Sequence, residues 1–445
     1  MVKPIYISKI IKKFKKKIKV SGDKSLSIRW ALMASQAIGK SRAYNLLKSE
    51  DVLSTLNCLK KLGINIAFKN KYCEIKGNGI NSFIYKNNLT INAGNSGTLG
   101  RLILALLIRS PKKIKLIGDK SLSKRDFARV IDPLKKFGAI FYPKNKNTLP
   151  IYIKGSDFIR PINYFENKGS AQCKSSVMLA ALNAPGKTII KAKKSRTHTE
   201  TLLKYLKYPI KVKSKGVYDH IEVKGLQQFK SFDYNVPGDP SSAAYPIVLT
   251  LLSKNSKILI ENVLVSESRI GLIKVLRMMG ASSKYIKFEK KRNYFGEKVA
   301  NIRVRSCSTL KGIAVPSKLN SFLIDEFPLL FLLAIKSKNQ TICKNISELN
   351  AKESPRLKIT SKILTQMGVK NVCTEDSIKI FGNPDLDLKN KKIEVKDYLD
   401  HRIVMFSFLA ANIFSGSWKI HGKKNVQSSF PTFYKLMSKI GSKFE

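Results

Sequence analysis

Five short segments carry residue types whose spacing could do chemistry. Gly22-Asp23-Lys24-Ser25-Leu26-Ser27-Ile28-Arg29 combines a glycine turn, a lysine, hydroxyls and an arginine one helical turn further on. Asn95-Ser96-Gly97-Thr98-Leu99-Gly100-Arg101 repeats that layout, and Gly97 allows a ligand to approach the backbone closely. Lys352-Glu353-Ser354-Pro355-Arg356 sets a carboxylate between two cations, Asp400-His401-Arg402 sets one beside a histidine and an arginine, and Asp325-Glu326 opens an otherwise apolar run. Cations, hydroxyls and backbone N–H groups at a helix start bind anions, although the G-x-x-x-x-G-K-[ST] spacing of a nucleotide P-loop is missing here. Carboxylates held among cations suit proton transfer. Taken singly, each segment reads equally well as a helix cap or a surface ion pair.

Arginine sharpens the reading. The chain holds about fifteen arginines among 83 basic residues, so lysine is the default cation and arginine marks a special need. Arg29, Arg101, Arg125, Arg196, Arg356 and Arg402 fall at or just after the segments above or in polar loops. Two-pronged recognition of carboxylate or phosphate is what a guanidinium does and an ammonium cannot.

The elements that must position these residues repeat along the chain. A helix ending in an apolar pattern and a glycine recurs at Leu59–Gly63, Leu134–Gly138, Leu276–Gly280, Leu364–Gly368 and Met437–Gly441. Glycine there predicts a left-handed cap, and the stretches Ile64–Phe68, Ala139–Tyr142 and Val369–Val372 predict strands that follow it. A sixth copy belongs near Leu203–Leu206, where Lys207 stands in place of glycine. In parallel, small polar residues open apolar helices, as N-cap or first-turn residues, at Ser25, Ser96, Ser170, Ser241, Asp325 and Asp400, about 70–85 residues apart. Six α/β units follow, three to a domain. The expected domains are 22–237 and 1–21 plus 238–445, with crossings where V-S-G-D-K-S and V-P-G-D-P-S-S echo each other. The first twenty residues carry a strand before the first unit opens, and are expected to complete the second domain.

Composition excludes several classes. A chain of 445 residues, 43% hydrophobic, can bury two sizeable cores and is neither disordered nor fibrous. Its longest apolar stretches, Phe327–Ile335 and Ile403–Phe414, are too short to span a membrane. The lysine-rich start lacks a signal-peptide apolar segment, and six scattered cysteines without C-x-x-C argue against disulfides and zinc. A cytoplasmic protein is expected. The balance of 83 basic against 30 acidic residues, +53 net, raises nucleic-acid binding first. The lysines, however, run along the whole chain without a zinc-finger, zipper or RNP pattern, and a positive field also draws in small polyanions.

Together the segments 20–29, 93–101, 117–138, 169–181, 195–200, 236–245, 296–304, 324–333, 352–357, 400–402 and 428–433 resemble, in order, the signatures of the 3-phosphoshikimate 1-carboxyvinyltransferase (EPSP synthase) family. Ser195-Arg196-Thr197-His198-Thr199-Glu200, with Ser170-Ala171-Gln172, is similar to its class II branch. The resemblance implies an α/β fold of two domains, each an inside-out barrel of three repeated units. It implies transfer of the enolpyruvyl group of phosphoenolpyruvate to the 5-hydroxyl of 3-phosphoshikimate, through a tetrahedral ketal, without metal or organic cofactor. Lys24, Ser25, Arg29, Ser170, Ala171, Gln172, Arg196, Asp325 and Lys352 are then expected to hold 3-phosphoshikimate. Lys24, Asn95, Gly97, Arg125, Gln172, Arg356 and Arg402 are expected to hold phosphoenolpyruvate. Asp325 is implied as the base that takes the 5-hydroxyl proton, Glu353 as proton donor and acceptor at the methylene carbon, and Lys24 as a further catalytic cation. The implied partners are these two small anions, with no nucleic acid and no membrane, and the implied state is a monomer. Glyphosate, a phosphonate herbicide, is implied to occupy the phosphoenolpyruvate site, with the residue at position 97 deciding whether it fits. A sister enolpyruvyl transferase family acting on UDP-N-acetylglucosamine carries a reactive cysteine in a loop corresponding to Gly118–Arg129, and none stands there. Two departures from the family pattern bear on the site: Asp126 could pair with Arg125, and Pro355 removes an N–H from the loop that aims Arg356.

Overall fold

The computed structural model describes residues 3–445. Its contacts divide the chain into two compact units. The N unit is Gly22–Val236 with Tyr294–Glu297, and the C unit is residues 3–21, Pro237–Asn293 and Lys298–Glu445. The small excursion at 294–297 is the tip of the hairpin formed by strands Ile286–Tyr294 and Glu297–Arg305, which the sequence reading did not set apart.

Among the described residues twelve α-helices occur in pairs, one pair per repeat: α1 (Lys24–Gln36), α2 (Glu50–Lys61), α3 (Gly97–Leu106), α4 (Ala128–Phe137), α5 (Ala171–Ala181) and α6 (His198–Tyr205) in the N unit. The C unit has α7 (Pro240–Leu252), α8 (Gly271–Met278), α9 (Phe327–Ile335), α10 (Arg356–Gln366), α11 (His401–Phe414) and α12 (Phe433–Ile440). The first helix of each pair is buried nearly all round and packs inside: all nine residues of α9 are buried, and α3 packs on α5 and α7 on α9. The sheets lie outside and alternate between buried and exposed residues, as Lys187–Lys193 does throughout its length. Helices inside and sheets outside make each unit an inside-out α/β barrel.

Among the described residues five sheets share one four-strand pattern. In the first, strand 38–44 pairs in parallel with 233–235 and antiparallel with 72–78, which pairs antiparallel with 65–68. The sixth sheet differs: strand 5–7 lies antiparallel to 417–420, in the place the other sheets give to the chain that follows the second helix. Strand 15–19 pairs in parallel with 257–264, so both N-terminal strands belong to C-unit sheets.

The repeat is written into the backbone. Gly63, Gly138, Gly280, Gly368 and Gly441 all adopt positive φ, from 82° to 125°. Lys207, at the sixth position, adopts φ 55° without glycine's freedom to do so. Helix starts follow the sequence reading less closely. Ser96, Ser170 and Asp400 cap α3, α5 and α11 with side-chain bonds to the N–H groups of Leu99, Cys173 and Arg402. Ser25 and Ser241 sit inside the first turn, because Asp23 and Asp239 two residues earlier take the caps at 2.8 and 2.7 Å. A carboxylate is the better partner for a positive helix end. Asp325 precedes Glu326, the cap residue of α9, which makes no side-chain cap bond. Among the described residues no helix is long and apolar enough to cross a membrane.

Candidate active site

In the N unit the expected residues gather at helix starts. Lys24 and Ser25 open α1, Asn95 and Gly97 open α3, and Ser170, Ala171 and Gln172 open α5. Arg125 ends the 3-10 turn Leu122–Lys124, and Arg196 lies in the loop before α6. A Cβ built on Gly97 would stand 2.9 Å from Arg125 Nη1 and 3.1 Å from Arg101 Nη1, so two guanidinium groups lie against this glycine. Arg101 donates to Gln172 Oε1 at 2.5 Å and stacks over the Phe127 ring at 5.2 Å, while Gln172 Nε2 donates to Thr98 Oγ1 at 3.0 Å. Gly97, Arg125 and Gln172 therefore stand together, linked by Arg101, to which the sequence reading assigned no ligand. Lys24 Nζ instead pairs with Asp51 at 3.0 Å, and Asn95 donates to Asp119 at 2.6 Å. Asp126 accepts the N–H of Ala128 at 2.8 Å, which places its carboxylate at the start of α4.

Arg29 is buried one turn into α1. Its Nε donates to Thr199 Oγ1 at 2.8 Å and its Nη2 to Ser175 Oγ at 2.9 Å, which ties α1 to α5 and α6. Neither hydroxyl was given a role by the sequence.

In the C unit one guanidinium collects three carboxylates. Arg356, 1% exposed, donates to Asp400 at 2.8 Å through Nε and 3.2 Å through Nη2, reaches Asp325 at 3.5 Å, and bonds Glu353. Burial opposes its charge, but Asp400, Glu353 and Asp325 more than offset this and hold its pKa above the ordinary arginine value. Ser354 Oγ donates to the same Asp400 at 2.9 Å. Pro355 takes the cap position of α10, where no intrahelical N–H is required, so the proline is accommodated and Arg356 becomes the first helical residue. Glu326, next to Asp325, accepts a hydrogen bond from Ser241.

Arg402 is the counterpart with a different setting. It is 7% exposed, its Nε is buried without a hydrogen-bond partner, and no carboxylate lies within 4.0 Å of it among the described residues. Burial opposes its charge, yet the Tyr245 hydroxyl and the fields of Asp325, Glu326 and Asp239 keep its pKa above the ordinary value. A buried cation without a close counter-ion is costly unless a ligand supplies one. Lys352 moves the other way: burial pushes its pKa below the ordinary lysine value, against the pull of Asp325 and Glu348. Asp400 was visible as a helix opener but not as the chief partner of Arg356. The available clue was its place two residues before a first-turn residue, the spacing that Asp239 repeats with Ser241.

Helix starts with arginines beside them, in an α/β scaffold, offer the N–H groups and cations that suit anions. The sequence profile of the EPSP synthase (3-phosphoshikimate 1-carboxyvinyltransferase) family matches residues 8–437. A 3-phosphoshikimate 1-carboxyvinyltransferase of Petrotoga mobilis is 38% identical over 429 residues, 96% of each chain. One from Zymomonas mobilis is 35% identical over 433 residues, 96% of this chain and 94% of that one. An EPSP synthase structure from Acinetobacter baumannii superposes with a TM-score of 0.85 at 34% identity, covering 100% of this chain and 99% of that one. The enolpyruvyl transferase NikO of Streptomyces tendae, 12% identical, shares the fold with a TM-score of 0.76, covering 99% of this chain and 98% of that one. The chain belongs to the EPSP synthase family.

Proposed function

We propose that this chain transfers the enolpyruvyl group of phosphoenolpyruvate to the 5-hydroxyl of 3-phosphoshikimate, releasing phosphate, as a step of aromatic amino-acid biosynthesis. The observation that carries the reading is the cluster in which Arg356 holds Asp325, Glu353 and Asp400 while Arg402 stays buried without a close carboxylate. Asp325 takes the proton of the 5-hydroxyl as its oxygen bonds to C2 of phosphoenolpyruvate. Glu353 delivers a proton to the methylene carbon C3, giving a tetrahedral ketal. Glu353 then removes a proton from that carbon, the C2–C3 double bond re-forms, and phosphate leaves from C2 with the proton that Asp325 had taken. Both carboxylates lie within reach of Arg356. Arg402, Arg125 and Arg356, with Lys24, Asn95, Gly97 and Gln172, hold phosphoenolpyruvate. Lys24, Ser25, Arg29, Ser170, Ala171, Gln172 and Arg196 hold 3-phosphoshikimate, with Asp325 and Lys352 at its hydroxyls. Lys24 and the arginines stabilise charge that grows on the phosphate and carboxylate oxygens. A coupled assay of phosphate release from phosphoenolpyruvate tests this. Release that depends on 3-phosphoshikimate is expected, and release independent of it overturns the reading.

A further inference from the structure

The first turn of α6 is fastened at three consecutive residues. His198 Nδ1 pairs with Glu297 at 3.2 Å, Thr199 bonds Arg29 and Ser175, and Glu200 forms an ion pair with Lys174 at 2.6 Å. All of these side chains are buried. The middle contact is the one that meets the site. Nε and Nη2 form one edge of a guanidinium, and Thr199 Oγ1 and Ser175 Oγ meet that edge at 2.8 and 2.9 Å. The two hydroxyl oxygens are themselves 2.8 Å apart, with Thr199 donating to Ser175. They occupy that edge as the two oxygens of a carboxylate would, but they bring no negative charge. Arg29 Nη1 also reaches the carbonyl of Ser25, at 3.3 Å.

We propose that Thr199 and Ser175 are positioning residues for 3-phosphoshikimate, acting as a neutral clamp that sets the plane of the Arg29 guanidinium. The inference rests on the reading of Arg29 as a ligand of that substrate. A guanidinium is a planar fork, and its advantage over lysine disappears when the plane is free to turn. Carboxylates would fix the plane equally well, as they do for Arg356, but would compete with the anionic substrate for the same cation. Hydroxyls fix it without placing a negative charge on that edge. The pinning of His198 and Glu200 on either side keeps the Thr199 hydroxyl in place.

The test is steady-state kinetics on the full chain. Thr199→Val keeps the side-chain shape and removes the hydroxyl, and should raise the KM for 3-phosphoshikimate about five- to tenfold, the range expected when one charge-assisted hydrogen bond is partly lost. The KM for phosphoenolpyruvate and kcat should change less than twofold. Thr199→Ser should restore the KM. Arg29→Lys should raise the same KM by itself, and Thr199→Val added to it should change little further, because lysine has no plane to set. Ser175→Ala reads the second hydroxyl and serves if Thr199→Val melts early. An unchanged 3-phosphoshikimate KM in both hydroxyl variants, with Arg29→Lys impaired, overturns the clamp. Equal shifts in both substrates' KM also overturn it. An unimpaired Arg29→Lys variant overturns the assignment of Arg29 itself.

Discussion

Asp325→Asn separates chemistry from architecture. Asp325 is the most distant of the three carboxylates on Arg356, at 3.5 Å against 2.8 Å for Asp400, and its side chain is 22% exposed where that of Asp400 is fully buried. Asparagine keeps the volume and one acceptor oxygen, and Arg356 keeps Asp400 and Glu353. The cost to folding should therefore be that of a partly exposed pair, below about 1 kcal/mol. Removing a general base costs about 10²–10⁴-fold in rate, equivalent to roughly 3–5 kcal/mol of barrier at 1.36 kcal/mol per decade. The variant should melt within a few degrees of the parent, still gain thermal stability from saturating 3-phosphoshikimate, and lose at least a hundredfold in kcat. Asp400→Asn should do the reverse. It turns an amide donor toward Ser354 and Arg356 and breaks a buried pair, a change that costs about 3–5 kcal/mol when no other partner remains. The melting temperature should fall by many degrees and the KM for phosphoenolpyruvate should rise, with kcat less affected. Phosphate release at saturating substrates, read beside calorimetry, decides the matter. Near-parental kcat in Asp325→Asn would refute the role assigned to it, and a collapse of its melting temperature would refute the reasoning from contact distances.

Gly97→Ala places a Cβ 2.9 Å from Arg125 Nη1, so the guanidinium must retreat. Glyphosate, longer than phosphoenolpyruvate, should lose much more affinity than the substrate, and equal inhibition of both proteins would show that Gly97 does not line that site. Lys207→Gly relieves a left-handed lysine at φ 55°. Left-handed strain of about 1–2 kcal/mol outweighs the 0.5–1 kcal/mol entropy cost of glycine, so the melting temperature should rise, and a fall would refute the strain. The KM for 3-phosphoshikimate should rise with pH as Lys352 loses its proton, and this limb should begin below the usual lysine value of 10.5 because burial depresses it. Lys352→Arg should move the limb upward, and an unmoved limb would assign it to another group.

The repeat could be read from the sequence because its signals are local. A left-handed helix end asks for glycine within one turn, and an apolar helix inside a barrel shows itself by being apolar on every face. Local competition also explains why Ser25 and Ser241 sit in the first turn and not at the cap, where a neighbouring aspartate binds the helix end better than serine does. The residue types of the candidate site were legible for a related reason: arginine in a lysine-rich chain, and carboxylates beside it, are chemical choices made at single positions. Which carboxylate each arginine takes was not legible. Arg356 finds Asp400 and Asp325 at separations of 44 and 31 residues, and Arg29 finds Ser175 and Thr199 at 146 and 170. Strand 5–7 pairs with 417–420 across almost the whole chain. These partners are decided only when folding removes water, because a cation taken out of solvent must bond whatever polar group the packed helices bring to it.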